Sequence, residues 1–387
     1  MKILLFANTE WYLYNFRRSL ALALVEGGHD VLLVSPPGPY GERLRAVGLR
    51  WLPAPMERRS LNPLRELALV YWLRQLVRTE KVDLVHGFTI KCAVYGSLAA
   101  LSTGRPRVNA VAGMGYVFTS DDVRARILRP LVRTLMRLML GGKRSLLILQ
   151  NPDDVALFAK AGLVRVERMR LIPGSGVDCG RFAPPPESAA DTGRTRLRIV
   201  LPARLLWDKG VGEFVDAARL LRTRGRAIDF LLAGDPDPGN PAAVPDSVVR
   251  RWVDEGLVSW LGHVDDMPAM FKSVDVVVLP SYREGLPKGL IEAAACGLPL
   301  VTTDVPGCRE VVTDEAEGLL VPAKDAKALA AAIARLADDP ALRTRLGKAA
   351  RAKALERFDE RIVIEQTFGV YRELLGDRLP AMFTPTT

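Results

Sequence analysis

Leu279–Pro299, LPSYREGLPKGLIEAAACGLP, is the stretch whose reading decides the rest of the chain. The residues that lead into it, Val274–Leu279 (VDVVVL), are a short β-branched apolar run, the pattern of a parallel strand covered on both faces. Pro280 stops that strand. Gly285, Pro287 and Gly289 then permit a sharp turn, and Pro287 pre-sets φ at or next to the start of a helix. A helix start presents unpaired backbone N–H groups and the positive end of a dipole worth roughly half a charge, a seat for a phosphate or a polyhydroxylated ligand. Glu284 stands just before the turn and Glu292 one to two turns inside the helix. Two acceptors around one anion seat suit sugar hydroxyls on either side of a diphosphate. An isolated pair of glutamates reads as solvated surface, but Glu292 is followed by AAAC in a helix with almost no other polar residue, so it sits against protein or ligand.

Outward from that stretch, the chain divides in two. Its 387 residues exceed one compact core and fit two domains. The net charge of +10 is confined to one of them: residues 1–195 hold 28 Lys and Arg against 16 Asp and Glu, a net of +12, and the remainder holds 26 against 28, a net of −2. A basic half implies an anionic partner: nucleic acid, an anionic membrane face or a diphosphate lipid. No zinc-finger spacing, basic zipper or RNA-binding strand signature supports nucleic acid. Cys92, Cys179, Cys296 and Cys308 are scattered without a C-x-x-C pair, which reads as reduced structural thiols in a cytosolic compartment. MKILLFANTEW reads as a strand with a polar exit rather than a leader, and no run of about 18 apolar residues spans a bilayer.

Lys2–Ala7 reads as the first strand and Asn8–Asn15 as the loop at its carboxyl edge, where open α/β sheets bind ligands. No glycine lies between Lys2 and Val25, so the dinucleotide fingerprint of a dehydrogenase is absent. A helix over Phe16–Glu26, strands at Asp30–Ser35, Asp83–His86, Arg107–Ala112 and Leu146–Gln150, and a helix over Leu61–Thr79 capped by Asn62 complete a first doubly wound pattern. Gly113-Met114-Gly115-Tyr116 is a loop open to substrate. Asp121–Arg144 interleaves seven basic residues with Ile, Leu, Val and Met, the pattern of a helix lying on an anionic membrane surface as well as of an ordinary charged face. Phe182–Arg194, rich in Pro and Ala, reads as linker. Strands at Arg198–Ala203, Asp229–Ala233, Val258–Leu261, Val274–Leu279, Pro299–Thr302 and Gly318–Val321 alternate with helices as a second doubly wound sheet, followed by helices at Ala326–Leu336 and Arg361–Leu375. The boundaries are a first domain at 1–183, a linker at 184–194, a second domain at 195–358 and a final helix and tail at 359–387.

Arg204 and Lys209 leave the end of a buried strand of the second domain. A departing diphosphate gains negative charge as its bond to a sugar breaks, and two fixed cations there stabilise the transition state beyond the ground state. Asp265-Asp266 is the carboxylate pair nearest this edge and reads as a solvated turn, because hard-cation sites gather more oxygen ligands.

E-G-L-P-K-G-L-I-E, with seven residues between Glu284 and Glu292, resembles the signature of the retaining nucleotide-sugar glycosyltransferases of family 4. Ala203–Phe214 (ARLLWDKGVGEF) resembles that family's arginine and lysine segment, and Thr303–Glu310 (TDVPGCRE) its Gly-x-x-Glu segment. Over nearly the whole chain the likeness is to bacterial enzymes that add an N-acetylhexosamine to an undecaprenyl-diphosphate-linked sugar. The resemblance implies the GT-B fold, two Rossmann-like domains facing each other across a cleft, the final helix bracing the first domain. It implies that Arg204 and Lys209 hold the donor diphosphate, that Glu284 reads the donor sugar, that Gly285, Leu286 and Pro287 form the seat, and that Glu292 binds the ribose. The loop Gly262-His263-Val264 resembles the base-reading segment, and Glu310 helps shape the pocket. The implied partners are a UDP-N-acetylhexosamine, an undecaprenyl-diphosphate-linked acceptor and the anionic inner face of the cytoplasmic membrane, with no metal or other cofactor. Many family members carry a histidine in the loop after the strand that here ends at Ala112; this chain has Gly113–Tyr116 there, and His86 lies on an earlier strand, so a histidine's role stays open. The alternatives are transfer of another hexose to a lipid-linked or lipopolysaccharide acceptor, an epimerase, which needs an acid and a base absent here, and a silent sugar-nucleotide-binding subunit, against which the intact Arg204, Lys209, Glu284 and Glu292 stand.

Overall fold

Seven parallel strands form the first sheet: β1 (Lys2–Phe6), β2 (Asp30–Ser35), β3 (Arg50–Pro53), β4 (Leu84–Phe88), β5 (Arg107–Ala110), β6 (Ser145–Leu149) and β7 (Met169–Leu171), in the spatial order β3-β2-β1-β4-β5-β6-β7. The computed structural model describes residues 1–57, 60, 62–111, 123–185 and 196–376, with backbone alone at 123–129, 131 and 132. Alternate residues of a strand face opposite sides of its sheet, and β1 shows why its apolar run is continuous. Ile3 and Leu5 join a core with Leu20 and Leu24 of helix α1 (Arg18–Glu26), while Leu4 and Phe6 join one with Leu69 and Leu73 of the later helix over Pro63–Thr79. Burying each such side chain contributes about 1.5–3 kcal/mol.

The other helices of this sheet are α2 (Tyr40–Ala46), α3 (Pro63–Thr79), α4 (Thr89–Ser102), α5 (Val123–Leu140) and α6 (Pro152–Lys160). Asn62 and Asn151 cap α3 and α6 by accepting from Leu64 and Asp154 backbone N–H groups. One expectation fails here. Asn8–Asn15 is not a loop: the chain is helical from Glu10, because the Thr9 side chain caps the turn by accepting from the Tyr12 N–H. The strand expected to reach Ala112 ends at Ala110. The loop Gly113–Tyr116 and residues 186–195 of the expected linker lie outside the described residues.

The second sheet has six parallel strands, β8 (Leu197–Pro202), β9 (Ile228–Ala233), β10 (Ser259–Trp260), β11 (Val276–Leu279), β12 (Leu300–Thr303) and β13 (Gly318–Val321), in the order β10-β9-β8-β11-β12-β13. Its helices are α7 (Val211–Thr223), α8 (Asp246–Asp254), α9 (Met267–Lys272), α10 (Lys288–Ala295), α11 (Cys308–Val311), α12 (Ala326–Asp338) and α13 (Pro340–Lys353). Ile199 and Leu201 of β8 pack with Phe214 and Leu221 of α7, and Val200 with Phe271, Leu290 and Ile291 on the opposite face. Helix α13, which Asp339 caps and Pro340 opens, lies outside the helices expected at Ala326–Leu336 and Arg361–Leu375.

The last helix, α14 (Glu360–Leu375), returns to the first sheet, where Val363, Phe368 and Tyr371 are buried with Ile3, Leu5 and Leu24. The compact units are therefore Met1–Ser175 with Arg361–Thr387, and Gly176–Glu360, dividing at Ser175/Gly176 rather than at 183. Residues 176–183 belong to the second unit because Val177 pairs with Asp359, and Cys179 and Phe182 are buried beside Ala295 and Cys296.

Candidate active site

In the second sheet the direction of winding reverses between β8 and β11, and the carboxyl ends of two such strands leave a crevice where ligands of open α/β sheets bind. Both loops that emerge there carry the residues singled out above. After β8 the chain passes Arg204 and makes a 3₁₀ turn over Trp207–Lys209. Gly210 ends it with φ +71, and a Cβ on Gly210 would lie 2.1 Å from the Pro280 carbonyl oxygen. Only glycine lets the Lys209 loop lie directly on the end of β11. The Tyr282 N–H donates to the Asp208 carbonyl at 2.9 Å, and the Tyr282 hydroxyl to Glu213 Oε1 of α7 at 2.7 Å. Two loops far apart in sequence are thereby held at one edge.

At that edge the Lys209 ammonium meets Glu284 Oε1 at 2.5 Å, and the Ser281 hydroxyl donates to the same oxygen at 2.7 Å. The lysine and glutamate side chains are 21% and 11% exposed, open enough to meet a ligand and buried enough to be fixed. Gly307, with φ +80, backs onto this loop: a Cβ there would lie 2.5 Å from the Gly285 carbonyl oxygen and 2.7 Å from that of Glu284. Leu286 packs into the core beneath, Pro287 is extended immediately before α10, and no side chain caps that helix.

Glu292, on the second turn of α10, is 12% exposed, with Lys288 Nζ at 3.8 Å. Burial pushes its carboxyl above the ordinary range, opposed by the charges of Lys288 and Arg181. Arg204 is not brought to Glu284. Its guanidinium, half exposed, donates to Asp237 Oδ2 at 2.6 Å in the loop after β9. His263 is 52% exposed, 3.6 Å from Asp265, in a loop whose Gly262 carbonyl accepts from the Gly234 N–H. Asp266 caps α9 by accepting from the Ala269 N–H. The carboxylate of Glu310 faces Arg357 at 3.9 Å, so its segment meets the Glu284 loop through Gly307 instead.

Sequence reasoning missed Ser281, Tyr282, Glu213 and Asp237. Ser281 stood in the quoted stretch three residues before Glu284, a spacing at which a hydroxyl and a carboxylate meet across a turn. His86, on β4 of the first unit, is buried with Nδ1 2.7 Å from the Tyr371 hydroxyl. All four cysteines are free and buried, and burial raises the thiols of Cys92, Cys296 and Cys308 to about 12 and that of Cys179 to about 11.

Comparison with known proteins agrees with this architecture. The "Glycosyl transferase 4-like domain" family model matches residues 15–174 and "Glycosyl transferases group 1" matches residues 196–339. The chain is 27% identical over 375 residues to the N,N'-diacetylbacillosaminyl-diphospho-undecaprenol alpha-1,3-N-acetylgalactosaminyltransferase of Campylobacter jejuni, covering 94% of this chain and 96% of that protein. It is 27% identical to the UDP-Gal:alpha-D-GlcNAc-diphosphoundecaprenol alpha-1,3-galactosyltransferase of Escherichia coli, covering 78% of each. Among solved structures, Anabaena Alr3699/HepE in complex with UDP superposes with a TM-score of 0.78 at 21% identity, over 97% of this chain and 100% of that one. The two matched domains, one on each parallel sheet, place the chain among the group 1, family-4-like glycosyltransferases of GT-B fold.

Proposed function

We propose that this glycosyltransferase moves an N-acetylhexosamine from its UDP donor to an undecaprenyl-diphosphate-linked glycan, with retention at the anomeric carbon. The observation that carries the reading is the Lys209–Glu284–Ser281 cluster at the β8/β11 crevice, beside a helix start that no side chain caps. An ammonium has three donors, so Lys209 can take a diphosphate oxygen while Glu284 turns to sugar hydroxyls. As the bond from C1 to the UDP oxygen breaks, Lys209, Arg204 and the first-turn N–H groups of α10 stabilise the charge that collects on the diphosphate. The acceptor oxygen bonds to C1 on the same face, and its proton passes to the departing phosphate oxygen. Glu292, pushed inward on the next turn, accepts from the ribose.

The acceptor and donor classes rest on the Campylobacter and Escherichia relatives, whose names state undecaprenyl-linked acceptors, and on the solved HepE chain, whose complexes hold UDP and UDP-glucose. Among the described residues no helix is long and apolar enough to cross a membrane. The surface contact assigned to α5 is supported by exposed Leu135 and Leu138 beside exposed Arg133 and Arg137.

The test is transfer from UDP-GalNAc, UDP-GlcNAc, UDP-galactose and UDP-glucose to an undecaprenyl-diphosphate-linked monosaccharide, with the product's anomeric configuration read by NMR. An α-linked N-acetylhexosamine product is expected. An inverted linkage, or no transfer from any of the four donors, sinks the proposal. Liposome flotation checks the membrane contact: replacing Arg126, Arg129, Arg133 and Arg137 by Gln should release the protein from acidic vesicles, each basic residue near the surface contributing on the order of 1 kcal/mol.

A further inference from the structure

The first sheet has a switch point too, between β1 and β4, and the reaction proposed above uses none of the groups gathered there. Leu13–Arg17 forms a single π-turn between the helical turn at Glu10–Tyr12 and α1. Such turns concentrate at functional sites. This one ends in Arg17, which is 5% exposed. A guanidinium has five N–H donors, and a buried one is ordinarily matched to a carboxylate. Here one terminal nitrogen donates to the Tyr12 hydroxyl at 3.0 Å and the other to the Gly174 carbonyl at 3.4 Å. Nε has no partner, and among the described residues no carboxylate pairs with this cation. Glu10, the nearest acid along the chain, lies against Gly38 instead.

The guanidinium lies over the Phe88 ring, 4.4 Å from its centroid. Phe88 immediately precedes α4, fourteen residues long and capped by no side chain. A buried cation and the positive end of a helix therefore converge, which is unfavourable until something negative arrives. Thr89, the first residue of α4, holds φ +69, a left-handed conformation that a β-branched residue adopts only under constraint. His86 also lies against Phe88, its ring centroid 4.0 Å from that of Phe88 and its plane tilted by 35°. Its Nδ1 meets the Tyr371 hydroxyl, and its buried Nε2 has no partner. Burial, reinforced by the Arg17 charge, holds this imidazole well below its ordinary range and so neutral. When Tyr371 donates to Nδ1, Nε2 carries the proton and is a donor. A water molecule would satisfy one of these atoms but would not neutralise the cation.

We propose that the β1/β4 switch point is a second anion seat, in which Arg17 and His86 Nε2 receive a phosphoryl group. That the group belongs to a polyprenyl-diphosphate acceptor rests on the function proposed above; the anion chemistry of the seat does not.

Two measurements decide it. In the first, inorganic pyrophosphate is titrated by calorimetry into the full-length protein held in saturating UDP, which fills the diphosphate positions of the second unit. One pyrophosphate per chain is expected, bound at least tenfold more weakly by Arg17→Gln and recovered toward the wild-type affinity by Arg17→Lys. No pyrophosphate binding to the UDP-loaded wild type overturns the seat, whether or not Arg17→Gln folds. Equal binding by a folded Arg17→Gln, with unchanged UDP affinity and circular dichroism, overturns it as well. In the second, the acceptor KM is compared for a sugar on a diphosphate carrier and the same sugar on a neutral carrier. Arg17→Gln should raise KM at least tenfold for the first alone, leaving donor KM and the slow hydrolysis of donor unchanged. An equal rise for both carriers removes the acceptor as the source of the phosphoryl group. If no carrier is glycosylated, the proposed transfer fails while the pyrophosphate titration still decides the seat.

Discussion

The two switch points share a topology and little else. In both sheets the strand after the crossover, β4 or β11, lies beside the first strand, so both open a crevice at the same edge of their own unit. At the β8/β11 crevice the cation is already matched: Lys209 meets Glu284 and Ser281, in loops laid together by Gly210 and Gly307. At the β1/β4 crevice the cation is buried among Tyr12, Phe88 and His86 with no acid partner among the described residues. Topology decides where a ligand enters, and the side chains at two strand ends decide what it must be. A self-matched crevice holds its shape empty and exchanges one oxygen partner for another. An unmatched one stores an electrostatic deficit that an anion relieves.

Lys209→Ala tests the matched crevice most severely. It should lower turnover by roughly two to three orders of magnitude with the fold intact, as loss of a transition-state charge partner does. A near-wild-type rate by product assay would remove Lys209 from the reaction. Gly210→Ala comes next. Its φ of +71 and the 2.1 Å approach to the Pro280 carbonyl predict a loss of about 1–3 kcal/mol in stability, measured as a shift in the denaturation midpoint. An unshifted midpoint would mean that the two loops are not pinned there.

The smallest effect concerns Glu292. Its carboxyl is raised in the folded chain, so folding favours the protonated form. That contribution is fully present below the ordinary glutamate range and is lost as pH rises through the raised folded value. UDP affinity should move the opposite way, strengthening as the carboxylate forms. Glu292→Gln should flatten both dependences, followed by denaturation and UDP titration between pH 4 and 7; unchanged slopes would place the titrating group elsewhere.

What the sequence disclosed follows the range of the forces involved. The strand before Pro280, the turn at Gly285–Pro287 and the helix behind it are set by proline φ, glycine freedom and apolar runs, which act over a few residues, and β11 and α10 stand where that reading put them. The Asn62 cap is legible for the same reason. Tyr282–Glu213, Arg204–Asp237 and His86–Tyr371 join residues 69, 33 and 285 positions apart, and no local pattern announces such pairs. The turn at Glu10 is not legible because NTE looks like an exit from a strand, while the Thr9 cap that makes it helical is a single hydrogen bond.

The return of α14 to the first sheet sets an order of assembly. During synthesis β1–β7 emerge first, but the helix that buries Val363, Phe368 and Tyr371 against them appears only after all of residues 176–360. At roughly 5–20 residues per second, the ribosome holds that apolar face open for on the order of ten seconds or more. The second unit is contiguous and can close during that interval, so the half of the molecule made first is the half finished last, and in the nascent chain its uncovered face is the one chaperones have to shield.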